Sequence, residues 1–317
     1  MILTLTMNPA VDKSTSVDAL IPEKKLRCSN VVTEAGGGGI NVSKAIKKLG
    51  GESIALFPSG GNNGKLLEKY LQELDINFQT IPFEGETRES FAVSEEKTGS
   101  QFRFVLPGES LTEEQVKSSL DFVRNMDPRP EYVVASGSLP PGVPEDYFQQ
   151  LAVICHERGS KLIIDTSGLP LQLAVKEGVY LLKPNLNELA TLAGKSSLEL
   201  NEVDDAALEL IRAGKCEVMI VSLGASGALL VTRDGYEHFP APSVKKQTTV
   251  GAGDSMVAGM TYKLSQGADM RDVVRFGIAC GTAATMNRGT QLFNPSDVEK
   301  LYDWMIKHSE KYRLNLD

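Results

Sequence analysis

The sequence is poor in the residues on which many enzymes rely. Its four cysteines, Cys28, Cys155, Cys216 and Cys280, lie far apart with no C-x-x-C pair, which fits neither a disulfide framework nor a zinc site and points to a reducing compartment. Its three histidines, His156, His238 and His308, share no ligand spacing, which disfavours histidine catalysis and histidine-bound metal. Positive charge is in deficit. With 33 basic against 41 acidic residues the net charge is −8, which argues against a protein held on nucleic acid by bulk phosphate attraction. Any anionic ligand must therefore be met by a local cluster of cations. No stretch approaches roughly 18 uncharged apolar residues. The opening Met1-Ile2-Leu3-Thr4-Leu5-Thr6-Met7 lacks the basic start and apolar run of a signal peptide, so the expectation is a cytoplasmic protein with no membrane or nucleic-acid partner. What the chain does have is 41% hydrophobic residues and 29 glycines in 317 positions, enough for a large core and too much for a disordered chain.

Short apolar runs recur, each closed by a turn rich in Gly, Pro, Ser or Asn. Ile54-Ala55-Leu56-Phe57 precedes Pro58-Ser59-Gly60-Gly61, and Tyr132-Val133-Val134-Ala135 precedes Ser136-Gly137-Ser138-Leu139-Pro140-Pro141-Gly142. Leu162-Ile163-Ile164, Tyr180-Leu181-Leu182 and Val218-Met219-Ile220-Val221 continue the pattern. Runs apolar at successive positions suit strands buried on both faces of a parallel sheet. Helix-like segments such as Asp146 to Arg158 and Asp204 to Ala213 lie between them, which predicts a doubly wound α/β domain with ligands at the carboxyl ends of the strands. Two segments break the alternation. Leu26 to Glu34 and the hairpin-like Ser90 to Val105 predict a small β flap, whose Phe91, Val93, Phe102 and Phe104 need cover, most simply from a second subunit. Asp297 to Tyr312 predicts an amphipathic helix and a fraying tail.

The sharpest chemical signal is Thr248-Thr249-Val250-Gly251-Ala252-Gly253-Asp254-Ser255, followed by a helix-compatible run. Glycines before a helix leave backbone N–H groups that, with the positive end of the helix dipole, form an anion hole suited to a transferring phosphoryl group. Asp254 in the first turn is placed to accept a proton from an attacking hydroxyl, or simply to cap the helix. The spacing is not that of a P-loop, since G-x-x-x-x-G-K-[ST] is missing. A second cluster, Gly36-Gly37-Gly38-Gly39, leads into a helix whose Val42, Ala45, Ile46 and Leu49 form one apolar stripe, with Asn41 just inside it for a sugar hydroxyl. It lacks the third glycine of G-x-G-x-x-G, which disfavours a dinucleotide site. In Lys183-Pro184-Asn185-Leu186-Asn187-Glu188, the three-residue spacing of Asn185 and Glu188 suits either a hydrated magnesium ion or a helix cap pair.

Together these residues resemble the ribokinase-like, or PfkB, family of carbohydrate kinases over nearly the whole chain. The likeness is nearest to its 6-phosphofructokinases, on Lys25-Leu26-Arg27-Cys28, Gly36 to Val42, Arg103-Phe104-Val105-Leu106-Pro107-Gly108 and Ser136 to Gly142. The 1-phosphofructokinases and tagatose-6-phosphate kinases usually carry lysine inside the glycine run, where this chain has glycine. The resemblance implies a single ribokinase-like α/β domain over residues 1–317, doubly wound and mostly parallel with helices on both faces. It also implies lid strands inserted at about 14–35 and 85–106 and a homodimer formed through the lid.

The implied reaction is ATP-dependent phosphorylation of fructose 6-phosphate at its C1 hydroxyl, with Asp254 as general base and the backbone of Gly251, Ala252 and Gly253 as anion hole. Asp12, Gly37, Gly38, Asn41 and Ser138 would hold the sugar, and Arg88 its phosphate. Lys25, Arg27 and Arg103 are further cations from the flap, with a solvated surface as the alternative for Lys25 and Arg103. ATP would be met by Lys183, Asn185, Ser222, Gly224, Ser226, Gly227 and Thr282, the last within a small-residue stretch, Gly277 to Ala284, that close helix packing explains equally well. Glu188 would order Mg2+, with Asp165 second, and Thr248, Val250, Ala284, Asn287, Gly289 and Gln291 match a potassium site. Gln291 stands where the nearest relatives have arginine, and Ile21 where a tyrosine is expected, which bears on the monovalent site and on regulatory nucleotide binding. The rival readings are the other two ketohexose-phosphate kinases, a non-catalytic sugar-phosphate sensor and a Rossmann dehydrogenase. An intact Asp254 motif argues against the sensor, and the failed glycine fingerprint against the dehydrogenase.

Overall fold

In a computed structural model, which describes residues 1–287 and 291–309, the apolar runs form two sheets. In chain order the elements are β1 (Ile2–Leu5), β2 (Ala10–Val17), β3 (Ser29–Gly36), α1 (Gly38–Lys48), β4 (Ile54–Ser59), α2 (Gly61–Glu73), β5 (Asn77–Pro82), β6 (Arg88–Glu95) and β7 (Gln101–Val105). Then follow α3 (Glu113–Asn125), β8 (Tyr132–Ser136), α4 (Tyr147–Arg158), β9 (Lys161–Asp165), α5 (Gly168–Ala174), β10 (Val179–Leu182), α6 (Leu186–Leu192) and α7 (Val203–Arg212). The last are β11 (Cys216–Ser222), β12 (Ala228–Thr232), β13 (Gly235–Phe239), α8 (Ala252–Ser265), α9 (Met270–Thr285) and α10 (Pro295–Ser309). Residues 310–312 of the predicted C-terminal helix lie outside the described residues.

The large sheet has nine strands in the order β13-β12-β11-β10-β9-β8-β1-β4-β5. Pairing is parallel from β11 to β5, and β12 and β13 add an antiparallel edge. The expected doubly wound α/β sheet is therefore present. Its strands are apolar throughout because each face is covered: Val133 and Ala135 of β8 enter a core with α3, α4, α5 and α7, while Tyr132 and Val134 enter a second core with α1, α8, α9 and α10. Strand order reverses at β1, which lies between β4 and β8, so the carboxyl ends of β1 and β8 flank the crevice where ligands of such sheets bind.

The small sheet has the order β3-β2-β6-β7. It takes in β2 from Ala10, upstream of position 14, so Asp12 is one of its residues. Its register sorts the side chains. Phe91 lies opposite Phe104 and Val93 opposite Phe102, all four on one face, with Phe91, Phe102 and Phe104 exposed. Asp12 pairs with Glu34 and Ser90, and Ala92 with Arg103, which puts Asp12, Glu34, Arg88 and Arg103 on the other face.

Helix α1 is fixed against β1 by buried hydroxyls. Thr6 Oγ1 accepts from Ile40 N at 2.9 Å, and Ser43 Oγ lies 2.8 Å from Thr4 Oγ1 and accepts from Ser53 Oγ at 2.9 Å. Gly39 allows this approach, since a Cβ there would come within 2.6 Å of the Leu5 carbonyl oxygen. Ser43→Ala removes the hydroxyl with little change in volume and strands two buried hydroxyls, so it should lower unfolding stability by about 1–3 kcal/mol. Chemical denaturation checks this, and an unchanged midpoint would contradict the anchoring role.

Candidate active site

The turn before α8 and the first turn of α1 meet at the crevice. Gly251 is the N-cap of α8 with φ of 69°, a left-handed conformation suited to glycine, and no side chain caps the helix. Ala252 N donates to Thr249 O at 3.4 Å, which leaves the Gly253 and Asp254 N–H groups of the first turn for an anion. Asp254 does not cap. Its Oδ2 accepts from Asn41 Nδ2 at 2.9 Å, and Ser136 Oγ, at the carboxyl end of β8, lies 3.5 Å from its Oδ1. Gly38 lets α1 pack onto Ser136, because a Cβ there would sit 2.3 Å from the Ser136 hydroxyl. Burial is the main cause pushing the Asp254 carboxyl up to about 6, with the Asp165 carboxylate adding to it. The Asn41 hydrogen bond, Lys183 and Ser136 oppose the rise.

Lys183 Nζ pairs with Asp165 Oδ1 at 3.1 Å, both groups well covered. A Cβ on Gly253 would come within 3.5 Å of this ammonium, so a positive charge stands over the first turn of α8. Burial alone would depress Lys183, but the carboxylates of Asp165, Glu188 and Asp254 outweigh it and raise its pKa. Lys183 follows β10 and Ser222 ends the neighbouring β11; the strands are tied there by Ser222 N donating to Pro184 O at 2.8 Å. Gly224 and Ser226 form a short helical turn that closes at Gly227. Thr282 lies on α9, whose Gly277 and Gly281 pack closely on Met260 and Ala252 of α8, so close helix packing accounts for at least these two glycines.

The polar face of the small sheet supplies the other wall. Arg88 is held by Asn8 O, at 3.3 Å from Nε and 3.1 Å from Nη2, and by Ser90 Oγ and Leu106 O at 3.2 and 3.1 Å from Nη1. Asn8 also donates to Ser138 Oγ at 3.2 Å. Arg103 Nη2 donates to Thr249 Oγ1 at 3.0 Å and Thr248 Oγ1 to Gln101 Oε1 at 3.2 Å, so β7 touches the turn that opens α8. Asp12 packs on Gly36, where a Cβ would come within 2.1 Å of its Oδ2, and Gly37 follows as N-cap of α1. Lys25 and Arg27 sit apart, exposed on the loop between β2 and β3, with no hydrogen bond or ion pair among the described residues.

Asn185 and Glu188 form a capping box at α6: Asn185 Oδ1 accepts from Glu188 N and Glu188 Oε2 from Asn185 N, each at 2.9 Å. Burial still raises the Glu188 carboxyl above its ordinary value. Among the described residues no group of three or more His, Cys, Asp or Glu could hold a metal ion by itself. The donors present fit a magnesium ion that keeps most of its ligands as water and phosphate oxygen. Of the residues matched to a potassium site, Thr248 is tied to the end of α9 through its N–H and Thr285 O, and Val250 N donates to Thr248 Oγ1. Asn287 N donates to Ala284 O, and Gln291 O accepts from Lys48 Nζ at 2.8 Å; Gly289 lies outside the described residues. Asn8, Ser136, Lys44 and Lys48 were not singled out from sequence; the helical spacing of Asn41, Lys44 and Lys48 was the available signal.

The family pattern described as "pfkB family carbohydrate kinase" matches residues 2–297. The chain is 46% identical over 309 residues to the ATP-dependent 6-phosphofructokinase isozyme 2 of Mycobacterium tuberculosis (strain ATCC 25618 / H37Rv), covering 98% of this chain and 91% of that one. It is similar to solved structures of phosphofructokinase-2 from Escherichia coli, each covering 96% of this chain and 99% of the other. In complex with potassium the TM-score is 0.92 at 40% identity. With fructose-6-phosphate it is 0.91 at 39%, and in a tetrameric inhibited form 0.90 at 40%.

The raised Asp254 carboxyl has a stability consequence. Its folded pKa lies above the unfolded value of 3.8, so the folded state loses stability as pH rises through about 4 to about 6 and does not regain it above. Asp254→Asn should therefore be more stable than the parent at neutral pH by about 1–3 kcal/mol, with the gain shrinking toward about pH 4. Thermal or urea unfolding across this range is the check; a variant less stable at neutral pH would contradict the desolvated environment.

Proposed function

The chain belongs to the pfkB family of carbohydrate kinases, and from that premise we propose that it phosphorylates fructose 6-phosphate at the C1 hydroxyl with ATP, giving fructose 1,6-bisphosphate and ADP. The observation that carries the reading is a half-buried carboxylate, Asp254, in the first turn of an uncapped helix N-terminus and bonded to Asn41. Asp254 takes the proton of the C1 hydroxyl as its oxygen bonds to the γ-phosphorus. The bond from that phosphorus to the β–γ bridging oxygen breaks, and ADP leaves. The N–H groups of Gly251, Ala252 and Gly253, with Lys183 above them, meet the charge on the transferring group.

Asp12, Gly37, Gly38, Asn41 and Ser138 hold the sugar in this reading. Asn41 Oδ1 is buried without a hydrogen-bond partner, and a sugar hydroxyl would satisfy it. Arg88 and Arg103 meet the 6-phosphate, and the link from Arg103 to Thr249 ties the lid to the anion hole. Lys25 and Arg27 add cations from the lid loop. ATP lies along Lys183, Asn185, Ser222, Gly224, Ser226, Gly227 and Thr282. Magnesium, ordered by Glu188, would shield phosphate charge, and potassium would sit by Thr248, Val250, Ala284, Asn287, Gly289 and Gln291. The chain works as one cytoplasmic catalytic domain with its lid, paired as a homodimer through the face bearing Phe91, Val93, Phe102 and Phe104.

ADP formation with magnesium-ATP should be strongest with fructose 6-phosphate against fructose 1-phosphate, tagatose 6-phosphate and free fructose; preference for another sugar would move the substrate assignment. Asp254→Asn should fold and lose about a hundredfold or more in kcat, while full turnover would remove the base from the mechanism. Replacing Phe102 and Phe104 by Ser should weaken subunit association, measured by sedimentation at low concentration; an unchanged profile would exclude this face as the contact.

A further inference from the structure

Helix α1 turns three polar side chains onto three parts of the site. Asn41 reaches Asp254, and Lys48 Nζ donates to Gln291 O and Phe293 O at 2.8 and 3.1 Å. Between them stands Lys44, only 5% exposed, whose Nζ donates to Ala35 O at 2.8 Å. That carbonyl immediately precedes Gly36, the residue on which Asp12 packs. An ammonium buried with one carbonyl as its direct hydrogen-bond partner is costly unless carboxylates lie near. Glu34 on β3, Asp12 on β2 and Asp254 on α8 are near enough to act on Lys44.

We propose that Lys44 is a positioning residue for the sugar: it ties the Ala35 carbonyl to α1 and stands opposite Asp12 as a buried positive charge, keeping that carboxylate aimed and able to accept hydroxyl hydrogen bonds. The inference rests on the fructose 6-phosphate reading above. Charge supports it independently of the hydrogen bond. Burial pushes the Asp12 carboxyl up to about 6, and of the groups facing it Lys44 opposes this most, followed by Arg88 on β6; Glu34 adds to the rise and Arg103 on β7 lowers it. Without Lys44, Asp12 takes up its proton at higher pH and loses acceptor capacity.

Lys44→Met, Lys44→Gln and Lys44→Arg separate the hydrogen bond from the charge, since Gln and Arg both keep a donor for Ala35 O and only Arg keeps the charge. KM for fructose 6-phosphate, KM for ATP and kcat would be measured from about pH 5 to about pH 9 beside the parent enzyme. The expected result for Lys44→Gln is a rise of about tenfold in KM for the sugar, with KM for ATP changed less than about twofold. The low-pH rise in sugar KM should also move up by about one pH unit. Lys44→Met should behave alike or worse, and Lys44→Arg should recover both features. A parent-like sugar KM and pH profile in Lys44→Gln, or no better recovery with Arg than with Gln, would overturn the assignment. If Lys44→Met does not fold, the Gln and Arg pair still decides. Failure of the functional reading looks different: no variant, nor the parent, would turn over fructose 6-phosphate.

Discussion

Keeping one carboxylate partly out of water at the start of a helix is the constraint on which the rest of this site depends. Desolvation makes Asp254 a better proton acceptor by raising its pKa, and the same burial costs stability at neutral pH. The neighbours limit that cost without abolishing it: Asn41 donates to one oxygen and Ser136 stands near the other. Lys183 offsets part of the charge, yet its direct partner is Asp165, so Asp254 has no ammonium bonded to it. A stronger partner for Asp254 would be safer for the fold and worse for the chemistry.

Helix α1 converts this local arrangement into a fixed geometry. Buried hydroxyls pin it to β1, glycine at 38 and 39 lets it approach β1 and β8, and its polar face reaches Asp254, the glycine run and the 291–293 segment. The switch point of the large sheet brings β1 and β8 together, so Asn41 and Ser136 meet Asp254 although the three are far apart in sequence. Across the crevice, the two-residue period of the small sheet turns Asp12, Arg88 and Arg103 inward and the phenylalanines outward, one strand pattern serving two surfaces.

Much of this was legible because burial on two faces leaves a plain mark. The runs at 132–135, 162–164 and 218–221 became strands, and the helices expected over 146–158 and 204–213 formed over Tyr147–Arg158 and Val203–Arg212. The glycine motifs were legible because the left-handed φ of position 251 favours glycine and the packing at 36 and 38 leaves no room for a Cβ. Strand β2 was harder to see: Ala10–Val17 alternates apolar and polar residues only loosely and gains its place from pairing with β3 and β6. Asn185 and Glu188 show the limit of spacing alone, since a capping box and a metal-ordering pair require the same residues. Lys44 and Lys48 lie outside the apolar stripe of their helix and gain a role only when the fold puts a carbonyl in front of each.

The most direct test of the central claim is to titrate the Asp254 carboxyl by 13C NMR, assigned by its loss in Asp254→Asn, and to compare its midpoint with the acid limb of kcat/KM for fructose 6-phosphate. A desolvated base predicts that both fall at about 6. A carboxyl titrating near its ordinary value of 3.8, with the acid limb elsewhere, would contradict it.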